Sequence, residues 1–456
     1  MRTTGVHRER VAMSKYLPPY PSLESLHNQA KQLLKGYRGG SASARRRIQS
    51  LHPRFSPGSP PEVSVRLADA QLVIAREYGF DSWPKLKRRV EALCALSTAV
   101  SVGDAGDIDA AWLSRRLHQR GYLPTGRVEA IERQDIQSSK EGVQRLYVSY
   151  SPEAPPGLPA SFIYKYNTKG RNRPHPSGTR EFFFYQVLVP QMPLFPVAAC
   201  FDMGVNQAAG QSYLLLEDLE LTHYSPPATD QSPYGGWLSF QEVGLDQFEL
   251  VARQLARFQA RWWDRRIIGR PPLIESAPGL GSLNDAGRPE AVAGIVTNVE
   301  AMAQELQPEV VSAVARAAEK FPDLYRARLE RGRNLTLIHV DFHLRSVFLP
   351  NDRHRHEVMI IDWETVQRSV GVADIAYLVI SSMLPTSLRR QCETRLLAAY
   401  HEELVAGGVR GYSLDDCQAD FRLALVGLPG IAAPPFIRAW MSVWRDWGGE
   451  QLLGRG

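Results

Sequence analysis

Two short apolar segments that each end on an aspartate constrain this chain more than any other feature. The first is residues 337–343, Leu-Ile-His-Val-Asp-Phe-His, and the second is residues 360–364, Ile-Ile-Asp-Trp-Glu. Short apolar runs followed by polar residues predict buried strands that deliver Asp341 and Asp362 at their ends. Such a pair suits phosphoryl transfer, in which one carboxylate orients the attacking hydroxyl and accepts its proton while the other holds Mg²⁺ on the phosphates.

Length and composition predict a soluble, cytoplasmic protein with two or three cores. The chain has 456 residues, of which 44% are apolar and 22% charged. No apolar run approaches the roughly 20 residues of a membrane span, and no apolar signal core follows the charged N-terminus. The four cysteines lie far apart in the sequence, so neither a zinc site nor a disulfide framework is expected: Cys94, Cys200, Cys392 and Cys417.

The charge is unevenly distributed along the chain. Residues 1–100 contain 17 Lys and Arg against 7 Asp and Glu, whereas the whole chain carries +6. A basic front could be a solvated surface or an arm for an anionic partner. The basic runs 45–47 and 85–89 have no interleaved aromatic residues, which favours the solvated surface. We therefore expect no nucleic acid partner, and the partner of the basic front stays unknown.

The sequence predicts three parts: a helical module at 15–95, an ATP-binding lobe with its hinge at 105–220, and a helical catalytic lobe at 221–450. In the front module, apolar residues recur at helical spacing, serines stand at the N-caps of the predicted helices, and glycines stand where these helices end. Residues 22–34 and 69–86 resemble a small helical module found at the front of various bacterial proteins. No known chemistry accompanies that resemblance.

The second part has the order of elements that a kinase-type ATP-binding lobe needs. Two strand patterns at 127–132 and 143–150 precede a third that carries Lys165, and a helix with Glu181 follows. In such a lobe the lysine neutralises phosphate charge and the glutamate holds the lysine in place. An apolar strand at 213–216 then borders the adenine slot, for which the residues after it offer hydrogen bonds: Glu217 and Leu219.

The phosphate-binding loop lacks a glycine-rich pattern, because Gly142 is the sole glycine of the hairpin. Ser138 and Ser139 can offer hydroxyl and backbone N–H groups to phosphate instead, although a plain polar turn explains them equally well. The rest of the chain reads as helices, including 248–263. Strands ahead of helices predict an α+β fold, here a two-lobed protein-kinase-like fold behind an all-helical N-terminal module.

The run 339–349 resembles the catalytic loop of the aminoglycoside phosphotransferase and choline kinase superfamily, whose pattern is His-Gly-Asp-x-His-x-x-Asn. Residues 360–364 and 371–378 are similar to the magnesium motif of that superfamily and to the helix after it. Residues 255–263 resemble a helix of the ecdysteroid-kinase-like branch, in which His often stands at the position of Gln259. The resemblance spans roughly 105–450.

This resemblance implies a role for each matching residue. Asp341 would be the catalytic base, His339 would brace the loop, and His343 would face the nucleotide or pack. Asp362 would bind Mg²⁺, and Asp374 would anchor the backbone of the loop. On the nucleotide side, the implied ion pair consists of Lys165 and Glu181.

One departure from the pattern bears on activity. Ser346 stands where the superfamily has the Asn that is its second metal ligand, and a hydroxyl is a weaker and shorter ligand than an amide carbonyl. The leading hypothesis is a phosphotransferase that uses ATP and Mg²⁺ and acts on a small-molecule hydroxyl. The alternatives are a nucleotide-binding pseudokinase with weak or no turnover and a scaffold whose front module does the work.

Other readings of the same motifs are disfavoured. His339 and His343 are four residues apart like a helical zinc pair, but that motif needs a glutamate where this chain has Val340. Protein substrates are disfavoured because no Ala-Pro-Glu arrangement follows Asp362. The acceptor stays open between a cationic aminoglycoside-like antibiotic and a bulkier, less charged alcohol or other hydroxylated metabolite.

Overall fold

The computed structural model of the chain divides into two compact units, which the chain enters more than once. The first unit comprises Met1–Lys169, Tyr185–Leu194 and Ala199–Glu217, and the second comprises Gly170–Phe184, Phe195–Ala198 and Asp218–Gly456. The structure describes residues 21, 23–55, 64–78, 80–96, 108–136, 142–166, 176–192, 195–206, 211–226, 243–265, 308–352, 357–382, 386–427, 442–443 and 445–447.

The first unit begins with a helical module. Ser41 caps the second helix by accepting a hydrogen bond from the backbone N–H of Ala44, and Arg47 pairs with Glu77 of the third helix at 2.6 Å. A separate apolar core, in which Ile48 is fully buried, lies between the helices. The helices of the module are α1 (Leu23–Arg38), α2 (Ala42–Leu51), α3 (Leu67–Glu77) and α4 (Trp83–Leu96).

An antiparallel sheet forms the rest of the first unit. Helix α5 (Ala110–Arg120) precedes it and ends at Gly121, whose φ of 79° is the left-handed conformation that favours glycine at this position. The strands lie in the order β1-β2-β3-β5-β4. Phe162 and Leu215 are buried between the sheet and the helix. The strands are β1 (Val128–Asp135), β2 (Val143–Tyr150), β3 (Ser161–Tyr166), β4 (Cys200–Asn206) and β5 (Gln211–Glu217).

A buried carboxylate fastens α5 to this sheet. Asp202 on β4 is fully buried and accepts hydrogen bonds from Arg116 at 2.5 Å, from Arg120 at 2.7 Å and from the Tyr213 hydroxyl at 2.7 Å. Two arginines on one face of a helix thus satisfy a charge that would otherwise be costly to bury.

The second unit is mostly helical. Its core includes Trp363, which stacks on Phe184 with ring centroids 4.3 Å apart and packs against Phe258 at 4.5 Å. The helices are α6 (Pro176–Phe183), α7 (Leu245–Trp262), α8 (Pro308–Glu330), α9 (Ala373–Ser381), α10 (Thr386–Ala406) and α11 (Leu414–Gly427).

Short strand pairs carry the loops of the second unit. Strand β7 (Thr336–Ile338) pairs with β10 (Gln367–Ser369), and β8 (Val347–Pro350) lies between β6 (His223–Tyr224) and β9 (Met359–Ile360). Each of the two apolar segments singled out by the sequence begins in a strand, β7 or β9, and its aspartate follows the end of that strand.

The predicted α+β fold, with strands ahead of helices and a helical N-terminal module, is confirmed. The sequence did not predict β4, and the helix with Glu181 begins at Pro176 rather than at residue 179. Predicted helices at 291–306 and for most of 436–447 fall outside the described residues. Within the described part of the chain, no helix is both long and apolar enough to span a membrane.

Candidate active site

A buried carboxylate holds the loop that follows β7. Asp374, at the start of α9, is 1% exposed and accepts hydrogen bonds from the backbone N–H groups of His339 at 2.7 Å and Val340 at 2.8 Å. Gln259 adds a third hydrogen bond through Nε2 at 3.0 Å. Burial raises the pKa of Asp374 to about 7, although these three donors favour the charged form. Asp374 thus contacts the loop backbone in the way the resemblance implied.

Val340 has a backbone conformation that β-branched residues rarely adopt. Its φ is 77°, and the superfamily pattern has Gly at this position. The hydrogen bond from the Val340 N–H to Asp374 fixes this conformation. The turn directs the next residue, Asp341, out of the core, so that its side chain is 37% exposed.

The Asp341 carboxylate has two partners on the same oxygen. Its Oδ1 accepts a hydrogen bond from the Tyr377 hydroxyl at 3.0 Å and lies 3.5 Å from Nε2 of His343. Burial raises the pKa of Asp341, but the contacts with His343 and Tyr377 outweigh that effect and hold the pKa below its ordinary value. Asp341 is therefore ionised at neutral pH, as a proton acceptor must be.

The ring of His339 is buried next to the segment that carries Asp362. It is fully buried, and burial lowers its pKa, so the neutral ring donates from Nε2 to the carbonyl oxygen of Ile361 at 2.8 Å. Both Asp341 and Asp362 act electrostatically on this imidazole. The His339 ring therefore connects the Asp341 loop to the residue before Asp362.

Ser346 is buried, and its hydroxyl already has partners. It donates to the backbone carbonyl oxygen of Asp341 at 3.0 Å and lies 3.1 Å from Nδ1 of His343. Its own carbonyl oxygen accepts from the Ile361 N–H, which sets the loop beside the strand before Asp362. The role of Ser346 as a metal ligand stays a prediction.

Three carboxylates converge next to this loop. Oxygen atoms of Glu181, Asp362 and Glu364 all lie within 4.8 Å of one another, and Asp362, two residues after the end of β9, has a φ of 66°. Carboxylate oxygens are the ligands that Mg²⁺ prefers, so this cluster could hold a divalent cation. The sequence pointed to Asp362 and Glu181 but not to Glu364, although the Asp-x-Glu spacing was visible.

Arg180 adds a cation beside the three acids. Its residue is 8% exposed, and the Glu364 carboxylate interacts with its guanidinium electrostatically. Burial lowers the pKa of Arg180, against the raising effect of Glu364. One buried guanidinium therefore offsets part of the negative charge of the cluster.

Of the residues predicted to bind the nucleotide, Lys165 and Glu217 lie on the sheet of the first unit. Lys165 is on β3, opposite Leu214 of β5, and its pairing with Glu181 of the second unit stays a prediction. Glu217, the last residue of the first unit, accepts a hydrogen bond from the Ala199 N–H at 3.0 Å. Ser138 and Ser139 fall outside the described residues, and Leu219 is buried against Met359 in the second unit.

A sheet followed by helices, with an aspartate-bearing loop and a second acid after the next hairpin, is the fold of the small-molecule kinase-like superfamily. Residues 172–408 match the model of the ecdysteroid kinase-like family, so the chain belongs to that family. The resemblance found in the sequence is thereby confirmed for the kinase-like part. The resemblance of the front module stays a prediction.

Comparisons with individual proteins are more distant. No curated protein sequence matches the chain. A microcompartment-associated aminopropanol kinase is 13% identical, with 71% of this chain and 93% of that chain covered and a TM-score of 0.40. The choline kinase of Streptococcus pneumoniae is 13% identical, with 72% and 88% covered and a TM-score of 0.36. An ethanolamine kinase of Plasmodium vivax is 10% identical, with 89% and 97% covered and a TM-score of 0.40.

Proposed function

We propose that this protein is an ATP- and Mg²⁺-dependent phosphotransferase that moves the γ-phosphate to a hydroxyl of a small molecule. The observation that carries the proposal is the buried ring of His339, whose Nε2 donates to the carbonyl oxygen of Ile361 at 2.8 Å and so ties the Asp341 loop to the residue before Asp362. Membership of the ecdysteroid kinase-like family supports the same class of reaction.

Asp341 is the proposed base. Its carboxylate is partly exposed and has a lowered pKa, so it can accept a proton from an acceptor hydroxyl near neutral pH. The acceptor oxygen forms its bond to the γ-phosphorus as the bond between that phosphorus and the ADP oxygen breaks. Asp341 contributes to this transfer by positioning the acceptor hydroxyl and accepting its proton.

The proposed metal ligands are Asp362 and Glu364, with Glu181 beside them and Ser346 as the ligand that the sequence pattern implies. When bound, Mg²⁺ neutralises charge on the phosphate oxygens. The Ser346 hydroxyl is engaged with the Asp341 carbonyl oxygen and with His343, which favours Glu364 as the second ligand.

The nucleotide would contact the sheet of the first unit. Lys165 would neutralise phosphate charge, with Ser138 and Ser139 as further phosphate ligands. Backbone groups around Glu217 and Leu219 would bind the adenine, because they lie at and just after the end of the apolar strand β5. The resemblance pairs Glu181 with Lys165, and the carboxylate cluster places Glu181 beside Asp362 and Glu364.

The proposed acceptor is a hydroxylated small molecule, either an aminoglycoside-like antibiotic or another hydroxylated metabolite. A nucleotide-binding pseudokinase with weak or no turnover is the second candidate. Ser346 stands where the superfamily pattern has an Asn that binds metal, and its hydroxyl is already hydrogen-bonded to the Asp341 carbonyl oxygen. This observation favours the pseudokinase.

The test is a screen of hydroxylated metabolites and antibiotics with ATP and Mg²⁺, read by ATP consumption and by the mass of one added phosphate. Asp341→Asn should reduce turnover by roughly a hundredfold or more, because it removes the base. The matched control is Asp415→Asn, which changes an exposed aspartate in the first turn of α11 and should retain turnover. Nucleotide that stabilises the fold without turnover of any acceptor would identify a pseudokinase.

A further inference from the structure

The Asp341 carboxylate is held by one oxygen. Tyr377 and His343 both contact Oδ1, and no described residue makes a hydrogen bond or ion pair with Oδ2. Rotation of a carboxylate about its terminal torsion has broad, roughly two-fold minima, so packing alone fixes it poorly. A directional hydrogen bond to one oxygen therefore determines where the other oxygen points.

Helix α9 holds both the loop backbone and the Asp341 side chain through hydrogen bonds. Asp374 accepts hydrogen bonds from the N–H groups of His339 and Val340, and Tyr377 lies three residues further along the helix. Residues three apart share a helix face, so both side chains point to the same loop. The Tyr377 ring is 6% exposed on a helix whose residues 374–381 are all buried, which keeps its hydroxyl in a fixed place.

We propose that Tyr377 is a positioning residue for phosphoryl transfer, a proposal that rests on the proposed function. Its hydroxyl holds Oδ1 of Asp341 and thereby turns Oδ2 toward the acceptor hydroxyl. The acceptor proton passes to Oδ2, the acceptor oxygen bonds to the γ-phosphorus, and the phosphorus–oxygen bond to ADP breaks. Tyr377 exchanges no proton with the substrate and acts through Asp341 alone.

The kinetic test compares Tyr377→Phe with Tyr412→Phe. Each variant removes one hydroxyl from a buried ring, but the Tyr412 hydroxyl donates to Asp420, at 3.1 Å, rather than to Asp341. We expect Tyr377→Phe to lower kcat roughly tenfold to a hundredfold with the KM for ATP unchanged, because a misplaced base slows the chemical step without weakening nucleotide binding. Tyr412→Phe should keep the wild-type kcat per folded molecule. A wild-type kcat in Tyr377→Phe would overturn the proposal.

The structural test does not depend on turnover. Crystal structures of the wild type and both variants should show the Asp341 carboxylate in a second orientation in Tyr377→Phe alone, with the backbone of residues 339–346 unchanged. An unchanged carboxylate in that variant would overturn the proposal, whatever its kcat. A wild type that phosphorylates no acceptor would count against the proposed function, and the orientation of Asp341 would still decide whether Tyr377 positions that carboxylate.

Discussion

Val340 stores backbone strain next to the proposed base. Its φ of 77° costs a β-branched residue about 1–3 kcal/mol, and the hydrogen bond to Asp374 holds it there. Replacement by glycine removes that strain. It also raises the entropy of the unfolded chain, which lowers the unfolding free energy by about 0.5–1 kcal/mol, and it removes the apolar contacts of a half-buried side chain. The two effects nearly cancel.

We therefore predict that Val340→Gly keeps the unfolding free energy within about 1 kcal/mol of the wild type. The control is Val366→Gly, where the residue is buried and has a φ of −49°, so no strain is relieved. That variant should lose about 3 kcal/mol from burial and entropy together. Denaturant unfolding followed by tryptophan fluorescence measures both. Equal losses would show that Val340 is unstrained.

At the residue scale, the sequence predicted the candidate site residues that lie within a motif, and it missed those that reach the site from distant parts of the chain. Asp341, Asp362 and His339 follow apolar runs and could be found from the pattern. Tyr377 meets Asp341 across 36 residues, and Glu364 joins Glu181 across 183, so neither contact has a local signal. Contacts of this kind depend on how whole elements pack.

At the element scale, strand prediction succeeded where apolar residues alternate and failed at β4. That strand has Asp202 in a fully buried position, so its sequence does not follow the expected pattern of apolar residues inside and polar residues outside. The compensating charges, Arg116 and Arg120, lie on α5, more than 80 residues earlier in the chain. A buried charge network can be recognised as a core only once its partners are known.

Helices α7 and α10 approach so closely that a glycine is needed where they meet. A Cβ added at Gly407, the residue after α10, would lie 2.5 Å from the Cβ of Ala260 on α7. Real Cβ atoms do not come so close, so one of the helices would have to shift. The φ of Gly407 is not in the left-handed region, which leaves packing as the reason for glycine.

We predict that Gly407→Ala lowers the unfolding free energy by about 1–3 kcal/mol through overpacking. Adding Ala260→Gly removes the opposing methyl group, although glycine inside a helix itself costs about 0.5–1 kcal/mol. The double variant should therefore lose less stability than the two single variants summed, a coupling that a double-mutant cycle measures. Gly244→Ala is the control, since a Cβ at the N-cap of α7 meets nothing within 4 Å. Losses that simply add in the double variant would contradict this packing.

At the scale of the whole molecule, the front module and the sheet have separate cores although both belong to the first unit. The core of the module runs from Leu26 to Val90 in sequence, and the core of the sheet includes residues from Ile108 to Leu215. A polar contact joins them, in which Arg89 donates to the carbonyl oxygen of Gln119 at 2.9 Å. An exposed hydrogen bond of this kind contributes about 1 kcal/mol, far less than a core.

Separate cores predict separable folding. A chain that starts at residue 101 should fold, keep its cooperative thermal transition and retain the turnover of the full chain, because the candidate catalytic residues lie after the module. Residues 1–100 alone should give a helical circular dichroism spectrum with a transition of their own. A truncated chain that folds but loses turnover would instead assign the module a part in the reaction, and its basic surface would be the place to look for that part. A truncated chain that fails to fold would show that the hydrogen bond from Arg89 understates how strongly the module supports the sheet.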